Sequence, residues 1–106
     1  MTDTCAIYLR CHPRDEWEMD AHRRALENHA TKLGLHRPAV YLDNGVPSRG
    51  PAPRRTDLAH AVRAGRYRVV LIPGRWVFSL DASTAHRIAD TLAAGGCEIV
   101  ELPPRH

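Results

Sequence analysis

Residues 6–13 read Ala6-Ile7-Tyr8-Leu9-Arg10-Cys11-His12-Pro13, and this stretch decides how the rest of the chain is interpreted. Its first residues are apolar and β-compatible, as in a buried strand, and Pro13 predicts a sharp turn directly afterwards. A cation, Arg10, lies at the exit of the strand. Because ligands in parallel α/β proteins bind beyond the carboxyl ends of the strands, Arg10, Cys11 and His12 are candidate site residues.

Strand and helix patterns alternate along the remaining chain. Strands are predicted at residues 5–10, 39–42, 68–72 and 97–100. Helices are predicted over residues 15–33, from Thr56 or Asp57 to Gly65, and from an N-cap at Asp81 to Gly95. Residues 43–56 hold three prolines, two glycines and three arginines, which predicts a loop. The apolar helix faces are Met19, Leu26, Ala30 and Leu33; Leu58, Ala61 and Val62; and Ala85, Ile88, Ala89 and Leu92.

This order of elements predicts one α/β domain over residues 1–106. Each strand is followed by a helix that must cross back, which requires right-handed crossovers and a parallel sheet covered on both faces. We therefore expect a three-layer sandwich with a small, mainly parallel four-stranded sheet of flavodoxin-like or Rossmann-like topology. The candidate site is formed by the loops after the strands, at residues 10–14, 43–55 and 73–80.

Composition limits the function classes. The 106 residues contain 43% hydrophobic residues and a formal net charge of +3, with Lys32 as the single lysine. No apolar run is long enough to cross a bilayer, and the start lacks the form of a signal peptide, so we expect a cytoplasmic protein whose three cysteines are free thiols. Arginine bias is compatible with phosphate binding, but a GC-rich genome explains it equally well.

The ordered residues Tyr8 and Arg10, Asp43 and Gly45, Arg55, and Val69-Val70-Leu71 carry a resemblance. In this combination the chain resembles the catalytic domain of the serine recombinase (resolvase/invertase) family. The resemblance implies the resolvase-like fold, and in the family it implies DNA strand exchange through a nucleophilic serine. Here His12 stands at the serine position. The aspartate and two arginines that the family carries after the third strand align with Trp76, Val77 and Leu80.

The missing groups favour a non-catalytic function. We expect a stand-alone resolvase-like domain without a C-terminal DNA-binding domain, which acts as a DNA-associated or protein-interaction factor. The alternative is a minimal serine-recombinase-like strand-exchange enzyme or nuclease with a relocated nucleophile, His12 or Cys11. A nucleotide sensor is a third class, without a phosphate loop to support it. Because the catalytic domains of the family associate, a homodimer is a further expectation.

The remaining candidate residues divide by chemistry. The cations Arg10, Arg49, Arg54 and Arg55 are candidates for binding phosphate or the DNA backbone. Trp76 and Phe78 have three interpretations: they fill the emptied pocket, they form an exposed anchor for a protein partner, or they stack on a base. No Cys-x-x-Cys or His-x-x-x-His spacing occurs, so we expect no metal and no cofactor.

Overall fold

A computed structural model describes residues 5–35, 37–47 and 51–103 of the chain. Strands and helices alternate through these ranges as the sequence predicts. The strands are β1 (Cys5–Cys11), β2 (Ala39–Asn44), β3 (Val69–Ile72) and β4 (Glu98–Glu101). The helices are α1 (Glu16–Lys32), α2 (Pro53–Arg63) and α3 (Ala82–Ala94), and a 3-10 turn spans Arg75–Val77.

The four strands form one parallel sheet in the order β2-β1-β3-β4. The prediction of a parallel four-stranded α/β fold is therefore confirmed, and β3, whose residues are uninterruptedly apolar, lies inside the sheet. The register places Arg10 of β1 beside Asp43 of β2, at the carboxyl ends of both strands. This register determines the geometry of the candidate site.

Alternation along β1 sends its side chains to two separate cores. Ile7 and Leu9 pack with α1 on one face, whereas Ala6 and Tyr8 pack with α2 and α3 on the other. The next even-numbered residue, Arg10, therefore belongs to the face of α2 and α3. The sheet is covered on both faces, which confirms the three-layer arrangement.

Helix α1 begins where the sequence predicts, but the last residue of its predicted apolar face does not pack on the core. The Asp15 carboxylate accepts a hydrogen bond from the Glu18 backbone N–H at 3.0 Å, as an N-cap residue does. Gly34 has a φ of +78°, the left-handed conformation in which a glycine commonly follows the end of a helix. The prediction that Leu33 is buried is wrong, because Leu33 is the C-cap residue, where the chain leaves the helix, and Leu35 packs against the core instead.

Helix α2 begins earlier than the sequence predicts. Its first residue is Pro53 and its N-cap is Ala52, so the prediction of Thr56 or Asp57 as the cap is wrong. Proline is favourable at the first helical position, since the N–H that it lacks would have no partner in the helix. Helix α3 begins after Asp81 as predicted, with the carboxylate accepting from the Thr84 N–H at 3.0 Å. No helix within the described ranges is long and apolar enough to span a membrane.

Candidate functional site

Asp43 lies at the end of β2 and is buried, with 3% of its surface exposed. Its carboxylate accepts hydrogen bonds from the Tyr8 hydroxyl at 2.7 Å and from the backbone N–H groups of Arg54 and Arg55, both at 3.1 Å. These two amides belong to the first turn of α2, which has no acceptor from its own N-cap residue. Asp43 therefore caps α2 from a neighbouring strand and fixes the helix relative to the sheet.

Arg10 is the buried cation of the site. The residue is buried, with 6% of its surface exposed, and no described residue forms a hydrogen bond with its Nη1 atom. Burial lowers the pKa of the Arg10 guanidinium, and the charge of Arg55 lowers it further, while Tyr8 and Asp43 act in the opposite direction. An unpaired, buried guanidinium N–H is costly unless an anion occupies it.

Arg54 and Arg55, two of the other predicted phosphate-binding arginines, have partners of their own. Arg55 lies close enough to influence the Arg10 charge, but its Nη1 donates to the Phe78 carbonyl oxygen at 2.9 Å. Arg54 is exposed and forms an ion pair with Asp57 at 3.5 Å. Arg49 lies outside the described residues.

Two cavities are lined by predicted phosphate-binding arginines. Arg55 lines a groove of about 550 Å³ between α2 and α3, together with Arg63, Arg87 and six uncharged residues. Arg10 lines a separate cavity of about 230 Å³ at the carboxyl ends of the strands. The residues of this second cavity, called here the Arg10 cavity, are Arg10, Cys11, His12, Glu18, Val46, Trp76 and Leu80.

The Arg10 cavity holds the two candidate nucleophiles, Cys11 and His12. None of its described lining residues is a serine or threonine. The Cys11 sulfhydryl lies 3.3 Å from the Pro13 carbonyl oxygen and 3.5 Å from Glu18 Oε2, as a donor to both. Burial and the hydrogen bond to Glu18 raise the pKa of the Cys11 thiol, the direction opposite to that of an activated thiolate.

Two described hydroxyl groups that lie close to the cavity residues along the chain form hydrogen bonds elsewhere. Tyr8 donates its hydroxyl to Asp43, and burial raises the pKa of this phenol far above its usual value. Ser79 is buried, and its Oγ accepts a hydrogen bond from the Asp81 backbone N–H at 3.1 Å. Both hydroxyls therefore serve the fold.

Trp76 and Phe78 have different environments although they are two residues apart. Phe78 is fully buried and stacks on Tyr8, with ring centroids 5.9 Å apart. The interpretation of Phe78 as an exposed partner anchor is wrong, because its ring is part of the core beneath α2 and α3. Trp76 is 42% exposed, lines the Arg10 cavity and contacts the His22 ring at a centroid distance of 5.6 Å.

Some site residues carry no sequence signal. Glu18 and His22 lie in the first turns of α1. They reach the site only because that helix packs against the sheet. The resemblance singled out Asp43 as part of a turn, but its role as a cap for α2 depends on strand register. Among the described residues, no cluster of three or more His, Cys, Asp or Glu side chains could hold a metal ion.

Comparison with known proteins identifies the fold. No protein-family model and no curated protein matches the sequence. Among solved structures, the C-terminal catalytic domain of ISC1926 TnpA, an IS607-like serine recombinase, superposes with a TM-score of 0.82 at 19% identity and covers 96% of this chain and 71% of that one. The N-terminal catalytic domain of TP901-1 integrase gives 0.84 at 18% identity, covering 94% and 78%.

A resolvase family site-specific recombinase from Streptococcus pneumoniae gives a TM-score of 0.78 at 14% identity and covers 95% of this chain and 72% of that one. The chain therefore has the fold of the serine recombinase catalytic domain, as the resemblance implies. At these identities, the likeness establishes the fold and leaves the activity to the residues of the site.

Proposed function

We propose that this protein is a non-cleaving module with the serine recombinase fold that binds DNA through its phosphates. The observation that carries the proposal is the buried Arg10 guanidinium, whose Nη1 has no partner among the described residues and which lines a cavity whose described residues carry no hydroxyl group. A bound phosphate oxygen would satisfy this N–H with a charge-assisted hydrogen bond.

The absence of cleavage follows from the groups around Arg10. Strand cleavage by this fold requires a hydroxyl nucleophile and several preorganised cations, and losing one such donor typically costs about 10²–10³ in rate. In the Arg10 cavity, His12 stands at the family's serine position, and Trp76 and Leu80 stand at two of its polar catalytic positions. Arg10 remains and is sufficient to hold an anion.

DNA is the favoured partner for two reasons. The solved structures with this fold are described as serine recombinases, an integrase and a site-specific recombinase. The net charge of +3 favours approach to a polyanion.

Titration of fluorescent duplex DNA across salt concentrations tests the proposal. The slope of log affinity against log salt counts phosphate contacts, and we expect Arg10→Met to weaken binding and lower the slope by about one contact. Arg55→Ala is expected to do the same, because Arg55 adds its charge to that of Arg10. Arg24→Ala is the matched control, since Arg24 pairs with Asp20 on the surface of α1.

Equal losses in the Arg24 and Arg10 variants would contradict the proposal and indicate binding by net charge alone. Absence of wild-type binding would favour the protein-interaction alternative, with Trp76 as the first contact to mutate. A homodimer stays a prediction, and sedimentation in the presence and absence of DNA would test it.

A relocated nucleophile is the second candidate function, because His12 and Cys11 line the same cavity as Arg10. In that reaction, the His12 ring nitrogen or the Cys11 sulfur bonds to phosphorus, and one strand end leaves as a hydroxyl. A cleavage assay on supercoiled plasmid tests it. Covalent protein–DNA adducts that disappear in His12→Ala or Cys11→Ala would establish an enzyme and overturn the non-cleaving proposal.

A further inference from the structure

We propose that the Arg10 cavity recognises a single nucleotide unit with one terminal phosphate, its phosphate on Arg10 and its base stacked on Trp76. The inference rests on the proposed function and goes further, because it adds an unpaired base on Trp76 to the contact between Arg10 and a phosphate. The same chemistry is present in a free nucleoside monophosphate and at the phosphorylated end of a single strand.

Trp76 is held in a fixed position. A Cβ atom added to Gly74 would lie 2.6 Å from Nε1 and 2.7 Å from Cδ1 of the indole, so the ring lies directly against the Gly74 backbone. The His22 ring contacts Trp76 from α1. An aromatic ring that is positioned before binding loses little conformational freedom when a base stacks on it.

The 3-10 turn that carries Trp76 is also anchored. The Arg75 backbone N–H donates to Glu101 Oε1 at 3.1 Å, and the Arg75 guanidinium lies 3.5 Å from Glu101 Oε2. Arg75 Nη1 lies 3.0 Å from Nδ1 of His86 on α3. The half-exposed indole therefore belongs to a turn that is fixed to both β4 and α3, which suits a preorganised binding site.

The composition of the cavity fits a nucleotide. Arg10 provides a buried cation, while Val46, Leu80 and the Trp76 indole provide apolar surface beside it. A volume of about 230 Å³ has room for one small unit. A base within a duplex is already stacked on both faces, so an unpaired base is the one that can stack on Trp76. Glu18 is the acidic residue of the lining, and its carboxylate disfavours a second phosphate.

The first experiment uses tryptophan fluorescence. Trp17 is 88% exposed, so Trp17→Phe leaves Trp76 as the sole tryptophan without disturbing the core. In this background, dAMP and deoxyribose 5-phosphate are titrated separately, with dATP as a third probe. We expect dAMP to quench Trp76 and to bind about tenfold more tightly than deoxyribose 5-phosphate, the usual scale of one base stacked on an aromatic ring. We expect dATP to bind no more tightly than dAMP.

Variants then separate stacking from phosphate binding, with affinity measured by calorimetry. Trp76→Ala should weaken dAMP about tenfold and leave deoxyribose 5-phosphate unchanged, and Trp76→Phe should restore part of the loss. Gly74→Ala should act like Trp76→Ala by displacing the indole. Arg10→Met should weaken both probes. Thermal melts confirm that each variant is folded.

Two oligonucleotides of one sequence, with a 5′-phosphate or a 5′-hydroxyl, distinguish the source of the ligand. Tighter binding of the phosphorylated strand than of dAMP would identify a strand end as the ligand. Equal affinity would identify the nucleotide unit itself as the ligand. If Trp76→Ala leaves dAMP affinity unchanged while duplex binding still depends on Arg10, the inference is wrong and the proposed function stands. If Arg10→Met alters neither duplex nor dAMP binding, both fail.

Discussion

Arg10 and Asp43 lie beside each other on neighbouring strands and differ in how their charges are satisfied. Asp43 accepts three hydrogen bonds from donors on β1 and α2. Arg10 is comparably buried, yet its Nη1 has no hydrogen-bond partner within the described part of the chain. Because native structures rarely leave a buried polar atom without a partner, the unpaired Nη1 of a buried guanidinium beside a cavity indicates a ligand site.

This difference predicts that Arg10→Met loses phosphate binding while the free energy of unfolding of the free protein changes little. Removing a buried cation that lacks full pairing is expected to change the free energy of unfolding by less than about 1 kcal/mol, whereas breaking a well-formed buried ion pair costs about 3–5 kcal/mol. Urea denaturation measures the change. Phosphate at about 100 times its Kd should stabilise the wild type by about 2.7 kcal/mol and leave Arg10→Met unaffected. A loss above about 3 kcal/mol would make Arg10 structural.

Cys11 provides a second prediction at this scale. Burial raises the pKa of its thiol, and the hydrogen bond to Glu18 adds to the effect. The thiolate fraction at neutral pH is therefore below that of an unperturbed cysteine, and Glu18→Gln should lower the pKa and speed alkylation by iodoacetamide. The plot of rate against pH should shift toward lower pH. Mass spectrometry follows Cys11 selectively, because Cys5 and Cys97 are buried.

Glu16→Gln is the matched control for this measurement. Glu16 lies two residues from Glu18 and bonds to Arg14 and Asn44 instead of Cys11. Cys11 in the Glu16→Gln variant should be alkylated at the wild-type rate. A slower reaction in Glu18→Gln would show that Glu18 activates the thiol, in favour of a relocated nucleophile.

The elements show where local sequence rules are sufficient and where they are not. The caps of α1 and α3 are local, so Asp15 and Asp81 could be predicted from their own neighbours. The cap of α2 comes from Asp43, which precedes the helix by ten residues and reaches it through strand register. Local patterns contain no information on such a contact, and the predicted start at Thr56 or Asp57 was therefore too late.

The shared role of Asp43 predicts a large loss of stability in Asp43→Ala. The Tyr8 hydroxyl and two amides of α2 would lose their acceptor in a buried place, which costs about 2–4 kcal/mol in total. Chemical denaturation of Asp57→Ala provides the comparison. Asp57 forms an exposed ion pair on the same helix, and its loss should cost less than about 1 kcal/mol. Similar effects of the two substitutions would contradict the role of Asp43 as a cap.

At the scale of the molecule, the periodic parts of the sequence predicted the fold and the irregular parts did not predict the site. The order of helices and strands along the chain follows from apolar spacing, and the uninterrupted apolar run of β3 agrees with its place inside the sheet. In the 3-10 turn, no period distinguishes Trp76 from Phe78, and the two rings face the cavity and the core respectively. Arg54 and Arg55 likewise diverge because adjacent helical positions point about 100° apart.

The sheet divides the molecule into two apolar cores, and this division predicts how substitutions combine. Ile7 belongs to the core beneath α1 and Ile72 to the core beneath α2 and α3, and both are fully buried. Each change to valine should cost about 0.5–1.5 kcal/mol. Because the two side chains share no neighbours across the sheet, the double variant should be additive within about 0.5 kcal/mol.

A pair within one core provides the contrast. Ile72→Val and Phe78→Leu act on one apolar cluster, in which each vacated volume changes how the other side chain repacks, so this pair should deviate from additivity by about 0.5 kcal/mol or more. Denaturation of both double-mutant cycles under the same conditions measures the two couplings. If the pair across the sheet were coupled as strongly as the pair within one core, the backbone layer would transmit packing changes between its faces. The Arg10 cavity at the sheet end would then respond to substitutions in either core.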